Sequence, residues 1–80
     1  MIELQSAGTS FGKISSYGRI LGGTSTDMFV TTASTNSLVL GTNNTPRFRI
    51  ASDGDVSFYE DTGTTPKFFW DASAESLGIG

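Results

Sequence analysis

The sequence predicts an all-β chain of short hairpins, and three observations lead there. Strand-favouring Phe, Val, Ile, Thr, Tyr and Trp outweigh the strong helix formers Ala, Leu, Glu and Lys. Gly, at 10 of 80 residues, is joined by frequent Ser and Thr that punctuate the chain with turns. A strand-turn-strand pattern also recurs in the second half. Six Phe, two Tyr and one Trp set the chain apart from a disordered polar segment.

Taken in order, Met1 to Gln5 reads as a lone strand, and Ile14 to Leu21 as a short strand-turn-strand. Met28 to Thr32, a turn at Ala33-Ser34-Thr35-Asn36, and Ser37 to Leu40 read as a hairpin. The repeat follows: Thr45-Pro46-Arg47-Phe48-Arg49-Ile50 resembles Thr65-Pro66-Lys67-Phe68-Phe69-Trp70, twenty residues on. With one residue inserted, Asp55-Val56-Ser57-Phe58 then matches Glu75 and Leu77-Gly78-Ile79. Each copy is a hairpin, over residues 45–58 and 65–79. Asp53-Gly54 supplies the first turn and a longer loop at Ala72-Ser73-Ala74-Glu75 the second. Asp61-Thr62-Gly63-Thr64 links the two, and Pro46 and Pro66 suit strand starts, where a missing N–H costs least. This makes seven to nine short strands in two regions, a looser one over residues 1–36 and a two-hairpin one over residues 37–80. No segment has a helical period, and a single helical turn at Ala72 to Leu77 is the most that is expected. The strand at Ser76-Leu77-Gly78-Ile79-Gly80 has no terminating feature, so the natural polypeptide is expected to continue.

Alternation places Phe48, Ile50, Val56 and Phe58 on one face of the first hairpin, with Arg47, Arg49 and Ser57 opposite. Phe68 and Trp70 join Leu77 and Ile79 in the second, with Lys67 and Phe69 opposite. One such face is too small to close a core. A stack of hairpins, or three copies about an axis, would bury it. Small size points the same way: an 80-residue domain is marginal by itself and normally adds a staple. There is no Cys for a disulfide and no His for the commonest metal site, so no metal or cofactor is expected and association between chains remains.

Several functions are disfavoured. Five scattered basic residues and a net charge of -3 give no stripe for nucleic acid. No apolar run approaches a helical membrane span, and the N-terminus lacks the regions of a signal peptide. The paired acids Asp53/Asp55 and Glu60/Asp61 could serve glycoside hydrolysis or, together, bind calcium, but Asp53 and Asp55 flank a glycine in a hairpin turn, where turn chemistry explains them, and Glu60 and Asp61 open the next loop and are read as solvated. Gly22-Gly23-Thr24-Ser25 lacks the pattern of a phosphate loop. The chain is read as non-enzymatic. Trp70, Phe69 and Tyr59 could stack on sugars, and Tyr59, Asp61, Asn43 and Asn44 together would suit a carbohydrate-binding adhesin. Trp70 is placed instead in a core with Phe68, and Tyr59 and Phe69 against a neighbouring chain.

The run from Arg47 to Phe58, and that from Phe69 to Gly80, resemble the short Gly-rich β-hairpin repeats of bacteriophage tail-fibre and virion structural proteins, in the version found in environmental, marine phages. The likeness covers residues 37–80, and residues 1–36 in style only. The first copy reads Val56-Ser57-Phe58-Tyr59 where the family often has Gly-Ile-Gly-Thr. The resemblance implies an elongated homotrimeric β-prism or intertwined triple-β shaft in the virion tail or fibre, flanked by neighbouring segments of the same fibre, with a host surface glycan as partner under the adhesin alternative. Phe48, Ile50, Val56, Phe58, Phe68, Trp70, Leu77 and Ile79 are the expected inter-chain core.

Overall fold

In the computed structural model, which describes Met1 to Gly80, the first reversal depends on two residues. Ala7 and Gly8 both have positive φ (52° and 82°), the requirement of a type I′ turn, and β1 (Ile2–Ser6) folds back on β2 (Thr9–Ser16). Leu4 pairs with Gly12 and Gln5 with Ser10, so Phe11 is an extra residue in a β-bulge. β3 (Met28–Thr32) pairs with the other edge of β2, Ile14 facing Val30 and Gly12 facing Thr32.

Between β2 and β3 lies a single helical turn, α1 (Tyr17–Leu21). The Ser16 hydroxyl caps it by accepting from the Arg19 amide (3.1 Å), and Gly22, at φ 99°, ends it. The return segment is tied on by Tyr17 N–H to the Asp27 carbonyl (2.7 Å) and Gly18 N–H to the Ser25 carbonyl (3.1 Å). A Cβ on Gly18 would lie 2.7 Å from the Gly23 carbonyl oxygen, so this close approach demands glycine.

The second sheet is a meander of β4 (Leu38–Thr42), β5 (Thr45–Ile50), β6 (Val56–Tyr59), β7 (Pro66–Asp71) and β8 (Ser76–Ile79), in sequence order. The protein is therefore all-β, with eight strands in two antiparallel sheets and almost no helix. The chain divides into two compact units, Met1–Asn36 and Ser37–Gly80.

Four local expectations are corrected. Met1 to Gln5 is no lone strand, because the Ala7-Gly8 turn pairs it with β2. Ile14 to Leu21 is the end of β2 followed by α1, because Ser16 caps a helical turn there. That turn, rather than residues 72–77, is the helical one. Met28 to Thr32 and Ser37 to Leu40 do not pair with each other. β3 pairs with β2, and β4 pairs with β5 through Asn43-Asn44, whose φ values of 51° and 61° make another two-residue turn.

The Thr-Pro-basic-Phe repeat has a structural meaning. In the β4–β5 hairpin Leu40 pairs with Phe48 and Gly41 with Pro46, leaving Arg47 as the bulge. Across β6 and β7 Phe58 pairs with Phe68 and Tyr59 with Pro66, leaving Lys67 as the bulge. The basic residue of each copy is the extra residue, and the preceding Pro sits where the ladder is already broken.

The two units share one register. Ile2 pairs with Ile14, Leu4 with Gly12 and Ser6 with Thr9; thirty-six residues later Leu38 pairs with Ile50, Leu40 with Phe48 and Thr42 with Thr45. The third strands agree as well: Ile14 faces Val30 as Ile50 faces Val56, and Gly12 faces Thr32 as Phe48 faces Phe58. The N-terminal sheet thus repeats the first three strands of the C-terminal one, with the segment carrying α1 in place of the turn after Ile50.

Two turn substitutions test this geometry. Ala7→Gly relieves a left-handed alanine and is expected to raise stability by about 1 kcal/mol. Gly41→Ala places a Cβ 2.6 Å from the Thr45 carbonyl oxygen and is expected to lower it by roughly 1–3 kcal/mol. Denaturant midpoints of the two variants check both signs.

Candidate functional site

Residues paired across an antiparallel sheet point to the same face, so the register defines what each face presents. In the five-stranded sheet one row runs Leu40, Phe48, Phe58, Phe68 and Ile79, one residue from each strand. The neighbouring row on the same face runs Leu38, Ile50, Val56, Trp70 and Leu77. All ten are apolar and none is charged. The eight residues expected from alternation, Phe48, Ile50, Val56, Phe58, Phe68, Trp70, Leu77 and Ile79, are together on this face. Leu38 and Leu40 complete it and were missed, because the apolar Val39 between them hides the alternation. The Asn43-Asn44 dipeptide, a two-residue turn between apolar runs, is the signal that would have paired β4 with β5.

The rings along the first row interlock. Phe48 and Phe58 have centroids 4.9 Å apart at 76°, and Phe58 and Phe68 are 5.3 Å apart at 81°. Both are edge-to-face contacts, favoured by the ring quadrupoles. A shallow apolar groove of about 190 Å³ opens between Phe58 and Phe68. Nothing within the Ser37–Gly80 unit covers this face: no hydrophobic side chain there is buried, and Leu40, Leu77 and Ile79 are 56%, 54% and 75% exposed.

The opposite face is built differently. Its middle row is Val39, Arg49, Ser57, Phe69 and Gly78. The Phe69 ring lies over Gly78, where an added Cβ would come within 2.5 Å of the ring. Phe69 thus covers Gly78 while staying 40% exposed, a cross-strand contact that a strand pattern alone does not reveal. Arg49 donates to the Ser37 hydroxyl (3.2 Å). Arg47 donates to the Thr42 hydroxyl (3.1 Å) and the Asp61 carbonyl (2.7 Å), tying the second hairpin connection to the first.

The acids weighed for catalysis or calcium hold turns. Asp53 accepts from the Asp55 amide (3.2 Å), and Asp55 from the Ala72 amide (2.8 Å), stapling the β5–β6 turn to the β7–β8 loop. Asp71 accepts from the Ala74 amide (3.1 Å) and the Ser73 hydroxyl (3.0 Å), which hold its carboxyl below the usual carboxylate range. Glu60 is the most engaged. Its carboxylate accepts from the Thr62 hydroxyl and from the amides of Thr65 (3.0 Å), Thr64 (2.6 Å) and Thr62 (3.1 Å). These bonds favour the charged form and lower its pKa to about 2. No group of three or more acids stands close enough to hold a metal ion. Asn43 and Asn44 form the turn between β4 and β5. The Gly22 to Ser25 stretch is the tie-down of α1: Ser25 accepts through its carbonyl from Gly18 and through its hydroxyl from Asp27 (3.3 Å).

Compared with protein-family models, with curated proteins and with solved structures, the chain matches none of them.

The Glu60 loop yields a pH prediction. Because its folded pKa lies below the ordinary value of 4.5, its contribution is complete above 4.5 and is lost as pH falls through 2. The Thr64 and Thr65 amide resonances are expected to titrate with a midpoint near 2. Glu60→Gln is expected to abolish that titration, as an NMR pH series would record.

Proposed function

We propose that the protein is a non-enzymatic structural module, a segment of a phage tail fibre or related virion appendage, which works as a stiff homotrimeric β-rich shaft. The observation that carries this reading is the uncovered ten-residue apolar face of the five-stranded sheet, on a chain with no buried hydrophobic side chain. Domains are built from at least two packed layers, and here each unit is one layer.

Copies of the chain are fitting partners, because an uncharged apolar face complements itself. Three-fold assembly and a place in the virion are what the resemblance of the hairpin repeats adds. In such a shaft the Phe48, Phe58 and Phe68 rings meet those of the other two chains, and burial of each large side chain contributes roughly 1.5–3 kcal/mol. Neighbouring segments of the same fibre would continue the rod at either end. The alternative, an adhesin binding host surface glycan, has less to rest on, since Asn43 and Asn44 form a turn and the Asp61 carbonyl is engaged by Arg47.

Light scattering coupled to size exclusion tests the proposal. A mass near three times 8.5 kDa is expected. Phe68→Ser, which removes the end of the ring ladder, is expected to shift the population toward monomer. A compact wild-type monomer would overturn the shaft and leave the glycan-binding module as the better reading.

A further inference from the structure

β8 has β7 on one side and no strand on the other. Successive residues of an antiparallel strand turn their backbone groups alternately to its two sides. The Gly80 N–H donates to the Lys67 carbonyl on β7 (2.7 Å), so Gly80, Gly78 and Ser76 face β7. The N–H and C=O groups of Leu77 and Ile79 therefore point outward, unpaired. Exposed edge strands are normally guarded by a charge, a proline or a bulge, and Ser76-Leu77-Gly78-Ile79 has none of these.

The same edge occurs twice more within the sheet, and there it is filled. The Ala51 N–H donates to the Asp55 carbonyl (2.8 Å), which fixes the alternation along β5 and β6. By that alternation Leu38 and Leu40 of β4 turn to β5, and Val56 and Phe58 of β6 turn to β7. The filling strands are the two copies of the Thr-Pro-basic-Phe repeat. Ile50 stands opposite Leu38 and Phe48 opposite Leu40; Trp70 stands opposite Val56 and Phe68 opposite Phe58. Pro46 then meets Gly41 and Pro66 meets Tyr59, with the basic residue as the bulge. β8 repeats β4 in kind: Leu77, Ile79 and Gly80 have the spacing of Leu38, Leu40 and Gly41.

We propose that the outer edge of β8 is a strand-docking site, and that its occupant is an extended antiparallel strand of the form Thr-Pro-basic-Phe-x-apolar, supplied by a partner segment. A row of outward N–H and C=O groups is satisfied by another extended backbone, and alternate side chains set which one. The two strands of that form in this chain, β5 and β7, are already paired along both edges. β1 and β3 have neither the proline nor the basic residue. A docked strand places its apolar residue opposite Leu77 and its Phe opposite Ile79, and so lengthens both apolar rows. The inference goes beyond the shaft, because it concerns an edge rather than the apolar face and holds for any number of chains.

A synthetic peptide with the sequence of Asn44 to Ala51 tests this on the full chain, read by amide hydrogen exchange in NMR spectra. The Leu77 and Ile79 amides are expected to exchange about tenfold more slowly with the peptide at about ten times its Kd. The Gly78 amide, already turned to β7, is expected to change little. N-methylation of the peptide at Phe48, whose N–H faces the docking edge, is expected to abolish the protection. N-methylation at Arg49, which faces away, is expected to leave it intact. Equal protection by a scrambled peptide of the same composition, or none by either peptide, overturns the site. Leu77 and Ile79 amides that become protected without peptide as chain concentration rises give the edge to a second copy and overturn the proposed occupant. A trimer whose edge takes no peptide loses this site and keeps the shaft. A monomer whose edge takes it keeps the site and loses the shaft.

Discussion

A single-layer β-sheet with one apolar face satisfies its backbone but not its side chains. The ladder bonds of β4 to β8 pair amides and carbonyls internally, and the edge-to-face contacts among Phe48, Phe58 and Phe68 order one row of rings. Neither removes the other side of those rings from water. The hydrophobic term is proportional to the area removed, and it is the largest favourable term in folding. The rest of the C-terminal unit follows from that shortfall: no buried hydrophobic residue, and an uncharged face of ten residues in two rows across five strands.

Polar residues keep the sheet in shape while leaving that face free. Glu60 closes its own loop with four hydrogen bonds, Asp55 joins two turns, and Arg47 links the ends of two hairpins. All of this bonding lies at turns and bulges. The three bulges, at Phe11, Arg47 and Lys67, follow the β1–β2, β4–β5 and β6–β7 reversals, where an extra residue sharpens the local twist. Regular twist and an uninterrupted apolar face are what a sheet needs in order to pack repeatedly against copies of itself, which is the mechanical task proposed for it.

Much of the candidate face was legible from residues 45–80, because strict alternation there encodes side: Phe48 with Ile50, Val56 with Phe58, Phe68 with Trp70, Leu77 with Ile79. Leu38 and Leu40 were not, since Val39 makes their strand read as uniformly apolar. The Phe69 ring lies over Gly78 on the adjacent strand. That partnership depends on cross-strand register, which alternation within one strand does not contain. Asp53 holds its turn as expected, accepting from the Asp55 amide, whereas Asp55 reaches the Ala72 amide seventeen residues on and Glu60, expected to be solvated, accepts from three amides and a hydroxyl of its own loop.

What the sequence by itself determined is local: the all-β character, the turn at Asp53-Gly54, the side of each alternating residue in the repeat, and the absence of Cys and His chemistry. Strand partners outside the β5–β6 and β7–β8 hairpins were decided only by the tertiary structure. β3 and β4, adjacent in the chain and separated by a turn-like stretch, belong to different sheets, because Asn43-Asn44 and Ala7-Gly8 direct β4 to β5 and β1 to β2. The common register of the two units was invisible for a related reason. Hydrogen-bonded pairing constrains backbone positions rather than side-chain identity, so Gly12 and Phe48, or Thr32 and Phe58, can occupy equivalent places without any likeness between them.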